Sequence, residues 1–120
     1  MDKAQALNHF WSSFGLPAYD ENTVPDDAHT PYITYNTVTD SLDSPVPVSG
    51  SIWYHGTSWA PVEQKKAEIA NALDMVLPVG NREYLWLTKG TPFASRVADS
   101  SDQNMRRIYI NIMAEYLTAK

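Results

Sequence analysis

Residues 108–117 read IYINIMAEYL, and Ile108, Ile110, Ile112, Ala114 and Tyr116 take every second position. Successive side chains of a strand point to opposite faces, so this alternation predicts a strand. Met113 and Leu117 fall on the face opposite the isoleucines. One of the two faces must pack on helices, and we expect the other to be partly exposed until an assembly covers it. Coverage of both faces within the monomer is the alternative.

The first half of the chain predicts one helix and two strands. Leu7, Phe10, Trp11 and Phe14 have the spacing of one helical face, and Gly15 with Pro17 ends that run. Residues 15–31 are polar and interrupted by prolines, which predicts a long surface loop. The elements expected in this half are a helix over Lys3–Phe14, a strand over Tyr32–Thr39, a turn region over Asp40–Pro47 and a strand over Val48–Tyr54.

The second half predicts a helix, a short strand and the strand described above. After a turn at His55–Thr57, Ser58 is a suitable N-cap and Pro61 fits the first helical turn. The expected elements are a helix over Glu63–Leu77, with Ile69, Leu73, Val76 and Leu77 on its apolar face, a strand over Tyr84–Leu87 and a long loop over residues 88–104. The order α-β-β-α-β-β predicts a single α+β domain over residues 1–120. In it, a four-stranded, mostly antiparallel sheet packs against two helices, with two long loops.

Composition excludes several kinds of site. The chain has 120 residues, no cysteine and a net charge of −5. Disulfides, thiolate zinc sites and cysteine nucleophiles are therefore impossible. The negative charge argues against binding a phosphate backbone through overall charge. No segment is long and apolar enough for a membrane helix, so we expect a soluble, intracellular protein without a membrane partner.

Charge is unevenly distributed along the chain. Residues 1–43 carry one basic and seven acidic residues, a balance of −6, whereas residues 82–120 carry six basic and four acidic residues, a balance of +2. We expect an acidic surface on one copy to face a basic surface on the next in a head-to-tail ring. The alternative is two ordinary solvated faces. The candidate self-association residues are Asp20, Glu21, Asp26, Asp27, Arg82, Arg96, Arg106 and Arg107.

Residues typical of catalysis form no recognisable motif. The three histidines lack metal-ligand spacing, Asp26–His29 fits a solvated loop, and Lys89-Gly90-Thr91 fits a turn better than a phosphate-binding loop. We predict no catalytic, metal or cofactor site. A small hydrolase built around His55 or His29 stays open as an alternative. So does a single-strand nucleic-acid binder, because aromatic residues are frequent in the strands, although they lack basic neighbours.

Two segments carry a resemblance to a known family: Trp53–Trp59 leading into the helix Glu63–Leu77, and Trp86–Phe93 leading into Arg106–Ile112. With the order of elements, they resemble the tail-terminator and tail-completion proteins of long-tailed bacteriophages, which join heads to tails. The alternative within the same virion is a head-tail connector, neck or minor tail protein.

The resemblance implies a homo-oligomeric ring, expected to be a hexamer, that caps the tail tube and presents the surface for head docking. It implies a tail tube protein and a head connector protein as partners, and no enzymatic activity or cofactor. It places residues 18–31 and 88–104 at interfaces, and DNA would pass through the lumen without specific binding. The expected location is the bacterial host cytoplasm during assembly and then the virion tail.

Overall fold

The computed structural model describes residues 3–37 and 46–118, which contain two helices and six strands. Both helices lie on the same side of one sheet. The elements in chain order are α1 (Lys3–Ser12), β1 (Ala18–Asp20), β2 (Tyr32–Tyr35), β3 (Val46–His55), α2 (Ala60–Ala72), β4 (Met75–Gly80), β5 (Glu83–Val97) and β6 (Met105–Thr118). None of the described helices is long and apolar enough to cross a membrane.

The sheet has the strand order β1-β2-β3-β6-β5-β4, so β1 and β4 form its two edges. Strand β1 runs parallel to β2, and every other neighbouring pair is antiparallel. Helix α1 contacts β1 and β2 at one edge and β4 at the other, whereas α2 contacts the central strands β3 and β6. The sheet therefore curls around α1, and the helices fill its concave side.

The isoleucine row of β6 lies at the centre of the core. Ile108, Ile110 and Ile112 are buried, as are Leu7 and Trp11 of α1. Burying each such side chain contributes about 1.5–3 kcal/mol relative to leaving it exposed. The predicted strand over residues 108–117 and the predicted buried face of the first helix are confirmed, and Phe14, just beyond the end of α1, is also buried.

Glycine at position 50 lets α1 approach the sheet closely. A Cβ atom built on Gly50 would lie 2.8 Å from Cη2 of Trp11 and 3.0 Å from the carbonyl oxygen of Thr34. The Trp11 indole stacks on the Tyr35 ring at 6.2 Å and packs edge-on against Phe10 at 5.1 Å. The indole therefore fills the space that any other residue at position 50 would occupy.

The prediction of a four-stranded sheet is wrong, because the sheet has six strands; the expected mostly antiparallel pairing is present, with β1–β2 as the one parallel pair among the described strands. One added strand is β4, at residues that were expected to end the second helix. Helix α2 stops at Ala72 because Leu73 adopts an extended conformation and Asp74 a left-handed one, with φ of 55°. Val76 and Leu77 then point to opposite sides of a strand, not along one helical face.

The predicted long loop over residues 88–104 is also largely wrong. Strand β5 continues to Val97, and only residues 98–104 connect it to β6. Gly90 and Pro92 indicate a turn in the sequence, but both are accommodated in an irregularity of the β5–β6 pairing between Lys89 and Ala94. Within the other predicted loop, residues 15–31, the three residues of β1 pair with β2 and add the sixth strand.

Several predicted boundaries shift by a few residues. The strand expected over Tyr32–Thr39 ends at Tyr35, and the strand expected over Val48–Tyr54 extends to Val46–His55. Pro47 thus belongs to β3, whereas residues 40–45 of the predicted turn lie outside the described residues. Helix α2 begins at Ala60, earlier than the expected Glu63, and a proline follows in its first turn. Its N-cap is Trp59, not the predicted Ser58, whose hydroxyl accepts from the backbone N–H of Ala60 at 3.1 Å.

Candidate functional site

The acidic candidates surround the end of β1, at one edge of the sheet. Asp20 is the last residue of β1, and Glu21, Asp26 and Asp27 are exposed in the connection that follows. The Asp20 carboxylate accepts hydrogen bonds from the Thr37 hydroxyl and from the backbone N–H of Asn22, the latter at 2.9 Å. These bonds, chiefly the one from Thr37, lower the pKa of Asp20. Asp20 therefore fixes the start of the loop, and the other three carboxylates face solvent.

Arg82 lies at the other edge of the sheet. It is exposed in the turn between β4 and β5, with a left-handed φ of 63°. We call residues 21–31, which follow β1, the acidic loop. Strand order puts β4 at the edge opposite β1, so Arg82 and the acidic loop lie at opposite edges of the sheet. The guanidinium at this position is available to a neighbouring molecule on the β4 side.

Arg96 and Arg106 are held within the chain around Trp59, at the start of α2. Their guanidinium carbons lie 4.5 and 5.4 Å from the centre of the Trp59 ring. Arg96 donates to Glu63 at 3.0 Å, and Arg106 donates to the carbonyl oxygens of Gln103 and Thr57 at 2.5 and 3.3 Å. Lys66 first and Arg96 second hold the pKa of Glu63 below its usual value. These two arginines therefore fasten α2 and the 98–104 connection to the sheet.

Arg107 lies on the convex side of the sheet, away from both helices. We define the outer face as this side. On β6 it carries Met105, Arg107, Tyr109, Asn111, Met113, Glu115 and Leu117. The Arg107 guanidinium stacks over Trp53 at 4.5 Å, and its Nε donates to the Ser51 hydroxyl at 3.0 Å. The two helices pack on the other side, so no described helix covers this face. Ser51 there is buried, the Asn111 side chain lies against Gly90 of β5, and Tyr109 is 37% exposed.

Beside Glu115, the outer face is apolar. Val76 and Trp86 are cross-strand neighbours on β4 and β5, and they are 52% and 37% exposed. A shallow cavity of about 80 Å³ separates Trp86 from Met113 and Glu115. The Trp86 indole N–H donates to Asp74 at 2.6 Å, which fixes the ring in place. An ordered indole beside a small depression is a typical anchor for a protein contact.

The histidines lie apart from one another. His55 contacts Asp102 at 3.0 Å on the surface, and His29 is exposed in the acidic loop. His9 borders an open groove of about 700 Å³ between α1 and the β1–β2 edge, in which Asn8 donates to the Tyr35 hydroxyl at 2.6 Å. Among residues 3–37 and 46–118, no three histidine or carboxylate side chains are grouped so that they could hold a metal ion.

The structure thus separates the predicted basic residues into three places: the β4–β5 turn, the Trp59 cluster and the outer face. Sequence reasoning assigned no role to Trp59 or to Glu115. The signal for Glu115 was present, because the alternation that buries Ile108 also places residues 107 and 115 on one face of the same strand. Trp59 gave no signal, since it meets two arginines more than 30 positions away.

Comparisons of the chain with protein-family models, with curated proteins and with solved structures gave no match.

Proposed function

We propose that the chain is a structural protein of a phage or prophage virion, a tail terminator that closes the tail tube as a ring of identical copies. The proposal joins the family resemblance of the sequence to one structural observation. Exposed carboxylates follow one edge strand, β1, and an exposed arginine follows the other edge strand, β4.

Opposite charges at opposite edges suit a head-to-tail contact, in which two different surfaces of each copy meet. In the proposed ring, Arg82 of one copy faces Glu21, Asp26 and Asp27 of the next. Charge complementarity of this kind sets the register of a contact and speeds encounter more than it adds affinity. Arg96 and Arg106 already have partners within their own chain, so Arg82 is the candidate arginine best placed for this contact.

The remaining parts of the proposed role come from the resemblance. The ring is a hexamer that contacts the tail tube protein on one side and the head connector protein on the other. It assembles in the bacterial host cytoplasm and stays in the virion tail, and DNA passes through its lumen without specific binding. The role requires neither catalysis nor a cofactor.

The ring contact is tested by solution mass at low and high salt. Wild-type protein should form a discrete oligomer that dissociates as salt screens the exposed charges. Arg82→Glu should reduce assembly, and adding Asp26→Lys and Asp27→Lys to Arg82→Glu should restore it. Lys89→Glu reverses an exposed charge on β5 and is the matched control. Assembly that is unchanged in Arg82→Glu at low salt contradicts the contact.

The position in the virion is tested by adding the chain to purified tail tubes without heads and to heads without tails. Binding to one end of the tubes, with an arrest of tube growth, is expected for a terminator. Binding to heads alone indicates a connector or neck protein instead, and binding to neither contradicts the whole proposal. A variant that stays folded but lacks the ring contact, Arg82→Glu, should lose tube capping.

A further inference from the structure

Strand β6 carries opposite charges near the two ends of its outer-face row. The row runs from Met105 to Leu117; Arg107 is its second member and Glu115 its second to last, eight positions or about 27 Å apart at the usual rise of a strand. Asn111 is the midpoint, with Tyr109 on one side and Met113 on the other. A second copy of the row, turned end for end about Asn111, therefore places its Glu115 opposite Arg107 and its Arg107 opposite Glu115.

We propose that two copies of this chain pair through their outer faces, about a twofold axis at Asn111. The two β6 strands run antiparallel to each other, so that Arg107 of each copy meets Glu115 of the other. Tyr109 of each copy then packs against Met113 of the other, a sulfur–aromatic contact, and the two Asn111 amides meet at the axis. This dimer goes beyond the proposed ring and uses a different surface.

Both charged groups are free to make this contact. Of the Arg107 nitrogens, Nε is engaged with Ser51 while Trp53 holds the guanidinium flat, and the two terminal nitrogens can grip a carboxylate in parallel. Asp99 in the 98–104 connection attracts Arg107 electrostatically without forming an ion pair with it, and its carboxylate accepts a hydrogen bond from the Ser101 hydroxyl at 2.7 Å. Glu115 forms no ion pair within the described part of the chain.

The shape of the sheet favours contact along β6. The sheet curls from edge to edge, so its convex side is highest along the central strands, β3 and β6. Two convex surfaces touch along their ridges, and Arg107, Asn111 and Glu115 all lie on this ridge. Contact over β6 and its two neighbouring strands, each counted as about ten residues, gives at most roughly 500 Å² per copy, near the lower limit for a specific interface. We therefore expect a reversible dimer with a dissociation constant in the micromolar range.

The outer face also supplies apolar area next to the charged pairs. Tyr109 and Trp86 are both 37% exposed in the single chain, and the cavity beside Met113 has a volume of about 80 Å³. In the dimer the Tyr109 ring of one copy comes over Met113 of the other and covers this depression. Tyr109 thus lies nearer the centre of the contact than the ion pairs do, the usual arrangement of a protein interface.

Sedimentation equilibrium of the full chain carrying Arg82→Glu, which removes the ring contact, tests the dimer over about 1 µM to 1 mM. Glu115→Arg brings two like-charged pairs into each dimer, and we expect it to weaken dimerisation about 100-fold. In the same Arg82→Glu background, Arg107→Glu should do the same, and the double reversal Arg107→Glu/Glu115→Arg should return the dissociation constant to within about tenfold of the value for Arg82→Glu alone. Glu68→Arg, the same reversal on the solvent side of α2, is the control: it removes an ion pair with Lys65 at 3.1 Å but should leave dimerisation unchanged.

Cross-linking tests the axis independently of charge. The chain has no cysteine, so Asn111→Cys introduces a single thiol at the proposed axis. Facing sheets lie about 10 Å apart, a distance that a short bis-maleimide can span. We expect covalent dimers from Asn111→Cys and none from Gln64→Cys, a matched thiol on α2. Adding Glu115→Arg to Asn111→Cys should abolish the cross-link, and circular dichroism of each variant should show an unchanged fold.

Three outcomes overturn the proposal: a monomer up to about 1 mM, single reversals that do not weaken the dimer, or a Gln64→Cys cross-link as efficient as that of Asn111→Cys. Failure of the ring is recognised separately, because Arg82→Glu leaves the outer face intact. A dimer that persists in Arg82→Glu while tube capping is lost shows that the two contacts are independent.

Discussion

Replacing Gly50 by alanine tests how closely α1 packs against the sheet. The added Cβ would lie 2.8 and 3.0 Å from two ring carbons of Trp11 and 3.0 Å from a backbone oxygen of Thr34. Neither neighbour can retreat easily. The Trp11 side chain is fully buried between Phe10 and Tyr35, and Thr34 belongs to the paired strand β2.

The expected magnitude is the difference between two opposing effects. Forcing a methyl group into a filled core costs about 1–3 kcal/mol. Removing glycine restricts the unfolded chain and returns about 0.4–1 kcal/mol, because position 50 has no left-handed φ that alanine would resist. We therefore expect Gly50→Ala to lower the free energy of unfolding by about 1–2 kcal/mol, and the melting temperature by about 4–8 °C.

Urea unfolding followed by circular dichroism measures this loss, and Gly80→Ala provides the control. The Cβ atom at position 80 would meet only the end of the Glu83 side chain, at 2.7 Å, which can rotate away. Trp11→Phe removes the ring carbons that crowd position 50. Combined with Gly50→Ala, it should therefore cost at least about 0.5 kcal/mol less than the sum of the two single changes. A neutral or stabilising Gly50→Ala, or strict additivity in the double variant, would refute the reasoning.

Two further predictions concern the Trp59 cluster. The pKa of Glu63 is lowered in the folded chain by Lys66 and Arg96. The stability that this supplies is therefore complete above the unfolded value near 4.5 and is lost as pH falls through the lower folded value. In that acidic window, Glu63→Gln should make the urea unfolding midpoint depend less on pH. A midpoint that changes with pH as steeply as in the wild type would contradict the ion pairs. Trp59→Ala should lower the free energy of unfolding by about 2 kcal/mol because two guanidinium stacks and a partly buried ring are lost. Trp59→Phe keeps an aromatic ring and should cause a smaller loss in the same measurement.

Periodicity predicted the parts of the fold in which one face is buried over many residues. The row from Ile108 to Ala114 and the face of α1 around Phe10 both repeat their apolar residues at the spacing of the element they form. Strands β1 and β4 could not be predicted in this way. Strand β1 has three residues, too few to show a period, and Leu77 of β4 is separated from Ile69 by a spacing that fits a helix equally well.

The candidate site was predictable only as far as charge along the chain allowed. The acidic loop and Arg82 are exposed, as that interpretation requires, but the pairing of Arg96 with Glu63 joins residues 33 positions apart. Such contacts depend on which strands are neighbours, and the four-stranded prediction placed residues 88–97 in a loop. Once these residues form β5, Arg96 is directed toward Trp59 and is no longer available at an edge.

The two proposed contacts together fix the masses that solution experiments should find. A head-to-tail contact through the sheet edges closes into a ring, and a twofold contact through the outer faces joins copies in pairs. When both form, the closed assembly contains two rings and an even number of 13.5 kDa chains. Arg107→Glu should leave single rings, Arg82→Glu should leave dimers, and the two changes together should leave monomers. Rings that survive in Arg82→Glu would show that the sheet edges are not the surfaces that close the ring.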